Sequence, residues 1–116
     1  MGKDGEDRTL FGPTLQIAQE GQILTLPKAT AFGPNGKGFL VVADQFLPWQ
    51  SQQREVVGVR VMPTEREWVV DKPFSSVAEK GGFGGIGSNG SDFALAAWEQ
   101  RLEDGGCQLL ARFAIP

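Results

Sequence analysis

The sequence predicts an α+β fold: about six mainly antiparallel strands forming a curved sheet or small barrel, with one helix over about 91–104 inserted before the last strand. Three observations lead there. Residues 38–62 hold two β-prone runs, GFLVVAD and EVVGVRVM, the second alternating with the period of two that a strand imposes. Turn formers separate such runs, as in Gly33-Pro34-Asn35-Gly36 and Pro63-Thr64-Glu65. Beyond Ser91 the spacing changes: Ala94, Leu95, Trp98 and Leu102 fall within about 100° of one another on a helix of 3.6 residues per turn.

In chain order, residues 1–12 read as a disordered arm, with Lys3, Asp4, Glu6, Asp7 and Arg8 among glycines, and residues 13–116 as one globular α+β domain. A chain of 116 residues holds too little apolar surface for two independent cores. TLQIA (14–18) and QILTL (22–26) read as a hairpin about Gln19-Glu20-Gly21. Pro27 removes a ladder donor, so the strand running on to Phe32 must be an edge there or bulged. Phe39 to Ala43 are apolar at consecutive positions, which suits a central strand covered on both faces. In 55–62 the residues Val57, Val59 and Val61 share a face directed at the core. Pro63-Thr64-Glu65 then reverses the chain into a strand over 66–71, where Trp68 and Val70 share a face.

Ser76-Val77-Ala78-Glu79 has the form of a capping box for a single helical turn ended by Gly81. Residues 81–90 contain six glycines and read as a loop. Ser91 suits the N-cap of the long helix, Asp92 its first turn, and Gly105-Gly106 its end. Asp92, Glu99 and Glu103 form its solvated face. QLLARFAI (108–115) closes the chain as a strand with Leu109, Ala111, Phe113 and Ile115 inward. No internal repeat is evident.

Composition excludes much chemistry. Without histidine there is no imidazole base, Ser-His or Cys-His pair or imidazole ligand, and the single cysteine, Cys107, permits neither an intrachain disulfide nor a multi-cysteine metal site. Cys107 itself reads as a buried, inert thiol. The net charge of -3 with scattered bases argues against nucleic acid as a partner. The longest apolar stretch, 38–43, is far short of a membrane span, and the charged N-terminus lacks an export signal, so the expectation is a soluble, cytoplasmic protein without membrane contact. No cofactor or metal is implied.

Three groups of residues can carry function. Gly85, Gly87, Ser88, Asn89 and Gly90 lie in a G-x-G-x-x-G match that leads into Ser91 at the start of the predicted helix, where backbone N–H groups could hold a phosphate or carboxylate. The match lacks the preceding strand and the downstream acid of a dinucleotide site, and a plain connector explains it more simply. Phe46, Leu47 and Trp49 lie in a ten-residue connection, 45–54, that is long for a hairpin loop. They either fold back to cap the core or anchor a partner. Arg60 and Arg112 lie on partly apolar strand faces and could together line an anion-binding groove, or simply face solvent. A carboxylate pair such as Asp44 and Glu55, at the ends of neighbouring strands, could do acid–base chemistry, although solvated charges normally sit at such ends.

The leading expectation is a non-enzymatic binding or interaction module presenting the aromatic and glycine-rich loops, such as an accessory subunit, an inhibitor or a phage-type structural or anti-defence protein. Its partner would be another protein or a second copy of the chain. A small-molecule binder with an apolar pocket among Trp68, Trp98 and Phe113, between helix and sheet, is the alternative. A carboxylate enzyme ranks last.

Overall fold

The structure, a computed structural model, describes residues 11–33, 37–47, 53–90 and 92–114. It is all-β there, with two antiparallel sheets and no helix. The first is a meander of β1 (Leu24–Phe32), β2 (Gly38–Leu47), β3 (Gln53–Pro63) and β4 (Trp68–Ala78) in chain order. The second continues the meander with β5 (Gly82–Ser88), β6 (Ala94–Arg101) and β7 (Cys107–Ala114). The sheets do not close into a barrel, which corrects the α+β expectation on two counts.

The largest correction concerns 91–104. Ala94, Leu95 and Trp98 do have helical spacing, but Ala94, Ala96 and Trp98 satisfy a period of two equally well, and those three are buried while Leu95 is exposed. The segment pairs on both sides, Ala96 with Ile86 of β5 and with Arg112 of β7. Two ladders and a buried tryptophan outweigh the helix propensity of its alanines, worth only tenths of a kcal/mol per residue. Glu99 and Glu103 therefore do not share a helix face with Asp92.

The glycine-rich segment is likewise a strand rather than a loop. Gly82 and Gly84 are buried against the first sheet: a Cβ on Gly82 would stand 2.8 Å from Asp44 Oδ2, and one on Gly84 would stand 3.8 Å from Val56 Cγ1. Their missing side chains let the two backbones approach. Ser76 to Ala78 belong to β4, so no helical turn forms there either.

Residues 14–18, predicted as the first strand, are irregular, although the reversal after them forms: Gln22 N–H donates to the Gln19 carbonyl and Gly21 is left-handed at φ 86°. At Pro27 the ladder does shift register between Thr25 and Lys28, with Leu26 at φ 53°. The reversal after Pro63 is closed by Thr64, whose N–H donates to the Glu67 carbonyl and whose Oγ1 accepts from Glu67 N–H. The arm over residues 1–10, the turn at 34–36 and Ile115 lie outside the described residues.

One face of each sheet forms a shared core. Phe32, Leu40, Val42, Val56 and Ala78 from the first sheet pack with Ala94 and Trp98 from the second. Each of the larger ones, Phe32, Leu40, Val42 and Val56, contributes about 1.5–3 kcal/mol on burial. β2 is an interior strand, as its apolar run predicts, and Val57, Val59 and Val61 are buried on the face opposite the shared core. On β7 the predicted facing is reversed. Leu109 and Phe113 are 84% and 71% exposed, while Leu110 and Ala114 pack against the core.

Candidate functional site

The sheets meet closely at the glycines of β5 and part between β4 and β7. One backbone irregularity and one side chain shape the opening. In β4 the register with β3 passes from Ser75, opposite Gly58, to Asp71, opposite Arg60, so residues 72–74 bulge out of the ladder. On β7, Arg112 stands opposite Ala96 on the inner face and spans the gap to β4, its Nη1 donating to the Val77 carbonyl at 3.0 Å and to the Ser76 carbonyl at 3.5 Å.

The result is a cleft of about 590 Å³, within the usual range for small-molecule sites. Buried Phe32, Leu40 and Ala96 supply its apolar floor, and half-buried Arg60 with exposed Lys72 and Arg112 brings three cations to it. Asp71 is the one carboxylate in the lining, and its Oδ2 accepts from Arg60 Nη2 at 2.7 Å. Both partners are over 40% exposed, so this bridge is worth at most about 1 kcal/mol and can be exchanged for a ligand anion. A guanidinium has five N–H donors, more than the contacts of Arg60 and Arg112 occupy. Ser75 and Ser76 add hydroxyls to the lining.

The two arginines singled out from sequence are thus brought into one cleft, from opposed sheets. The other candidates are not gathered there. Gly85 and Gly87 face outward with open space where a Cβ would be. Ser88, Asn89 and Gly90 shape the β5–β6 turn: Ser88 Oγ accepts from Gly90 N–H, and Asn89 Oδ1 from Phe93 N–H. With a strand following, this turn has no helix N-terminus with which to hold an anion. Phe46 is half-buried on β2, and Leu47 ends that strand. Ser91 and Trp49 lie outside the described residues.

The expected pocket among Trp68, Trp98 and Phe113 does not form. Trp98 is in the core, Trp68 packs on Phe39 with ring centroids 5.5 Å apart, and only Phe113 lines the cleft. Asp44 and Glu55 do not form a pair, because Glu55 is opposite Gln45 and neighbouring side chains point to opposite faces. Asp44 is the one buried charged residue among those described, with Arg54 Nη1 at 3.5 Å from its Oδ2, and Glu55 accepts from Gln45 Nε2 at 2.7 Å. Cys107 is exposed rather than buried, its thiol 3.5 Å from Glu99 Oε1.

What sequence reasoning missed is Lys72 and the two serines. Pro73, within a strand-like stretch, was the available signal for a bulge that would present them. Among the described residues no group of three or more Cys, Asp or Glu is placed to hold a metal ion, and no helix is long and apolar enough to cross a membrane. No family model, curated protein or solved structure matches the chain.

Proposed function

We propose that this protein is a non-enzymatic binding module whose ligand is a small anion with an apolar body, held in the cleft between the two sheets. The observation that carries this reading is the meeting of Arg60 and Arg112, on inner faces of opposed sheets, above a floor of Phe32, Leu40 and Ala96. Three cations against one carboxylate concentrate positive charge at one place on a chain of net charge -3. A carboxylate or phosphate head would take donors from the arginines, Lys72 and the serines, and its hydrocarbon part would cover the floor. The reading follows the small-molecule alternative rather than the two-loop interaction module, with an inter-sheet cleft in place of a pocket between helix and sheet.

Calorimetric titration with octanoate tests it. Binding should weaken about 5- to 30-fold in Arg60→Ala and in Arg112→Ala, from the loss of about 1–2 kcal/mol of charge-assisted hydrogen bonding each. Equal affinity for octanoate and the uncharged alcohol octanol would reject the anion reading.

A further inference from the structure

Four strand edges bound the two sheets, at β1, β4, β5 and β7. Exposed edges invite pairing with another chain, and proteins normally blunt them with proline, lysine, bulges or interruptions. Three of the four are blunted here. β1 is broken between Thr25 and Lys28, with Pro27 inside the break. β4 bulges at 72–74, carrying Lys72 and Pro73. β5 is glycine-rich and breaks register between Gly82 and Gly85.

β7 has none of these devices. Its eight residues, CQLLARFA, contain no proline or glycine, and its register with β6 runs unbroken from Cys107 to Ala114. Its single charge, on Arg112, is turned inward to the carbonyls of Ser76 and Val77. The face it leaves outward carries Leu109, 84% exposed, and Phe113, 71% exposed, on either side of exposed Ala111. Leu95 of β6, opposite Phe113, widens the same apolar face.

We infer that a second copy of this chain covers the β7 edge, the two β7 strands pairing antiparallel across a two-fold axis at Ala111. The strand is complementary to itself in that register. Leu109 of each copy lies opposite Phe113 of the other, so two large apolar pairs flank a small residue on the axis. Arg112 lies opposite Leu110, so no like charges meet. Such cross-strand apolar pairs add to the ladder hydrogen bonds, and the two three-stranded sheets become one of six. The interface is isologous and closes at two copies.

Sedimentation equilibrium of the full chain tests the stoichiometry, and a dimer is expected. Leu109→Glu introduces a charge into both apolar pairs at once and should abolish the dimer. Its far-UV circular dichroism should be unchanged, because the side chain is exposed in the single chain. Register is read by cross-linking in a Cys107→Ser background. Ala111→Cys should oxidise to a covalent dimer, since directly opposed residues lie within disulfide reach, whereas Gln108→Cys should not. A monomer at all concentrations, an open-ended series of oligomers, a dimer that survives Leu109→Glu, or preferential cross-linking through position 108 would each overturn the inference.

Discussion

Gly82 lies against Asp44 so closely that a Cβ on the glycine would stand 2.8 Å from the aspartate Oδ2. The carboxylate is 2% exposed and short, so it has no room to swing aside. Gly82→Ala should therefore destabilise the fold by about 1–3 kcal/mol, the usual cost of overpacking. Gly85, three residues on, has open space and no positive φ, and there alanine should be neutral or stabilise by up to about 1 kcal/mol through its effect on the unfolded chain. Urea denaturation of the two variants should give shifts of opposite sign or clearly different size.

Trp98 is buried in the shared core, and its Nε1 has no hydrogen-bond partner among the described residues. Trp98→Ala should cost about 3–5 kcal/mol, as expected for a large core aromatic. Trp98→Phe keeps most of the packing and removes an unsatisfied donor, so its cost should stay below about 1.5 kcal/mol. Trp68 is 41% exposed and packs chiefly on Phe39; Trp68→Ala should cost about 1 kcal/mol. Thermal unfolding of the three variants checks this order, and a large loss at Trp68 would contradict the placement of the core.

Most of the first sheet was legible in the sequence. Consecutive apolar residues at Phe39 to Ala43 and alternating valines in β3 each admit few other structures, and Pro27 announces a break. The second sheet was not, because its cues have two meanings. Alanines at 94, 96 and 97 favour a helix in isolation, and only pairing with β5 and β7 decides for a strand. Glycines at 82 and 84 read as a loop until the other sheet lies against them, when the lack of a side chain becomes what permits the packing. The residues against those glycines, Asp44 and Val56, are distant in the chain, and even the adjacent strands β5 and β7 leave no mark on the local pattern of β6. The arginines were visible as charges on apolar strand faces, but the β4 bulge that opens the cleft beside them was not.

Arg54 carries a similarly non-local consequence. Its Nη1 lies 3.5 Å from Asp44 Oδ2, the buried carboxylate beneath Gly82. Arg54→Met should destabilise by about 1–3 kcal/mol, because it withdraws a cation from a carboxylate that stays buried. In the Asp44→Asn background the same change should cost clearly less. A double-mutant cycle by chemical denaturation measures the difference, and simple additivity would show that the pair is not coupled.

Cys107 provides a simple check on the β6–β7 end of the second sheet. As an exposed thiol it should react with a maleimide in the native protein at a rate close to that in denaturant. Protection until unfolding would place it in the core and contradict the register that puts it opposite Arg101.

Binding of an anion with an apolar body in the cleft between β4 and β7 is the proposed function. Its most direct test is a heteronuclear NMR titration of the isotope-labelled chain with octanoate, with octanol run in parallel. Octanoate should shift the amide signals of Ser75, Ser76, Val77 and Ala114 together, saturably and more weakly as salt is added, while octanol leaves them nearly unmoved. Shifts confined to another face, or the same response to both compounds, would contradict it.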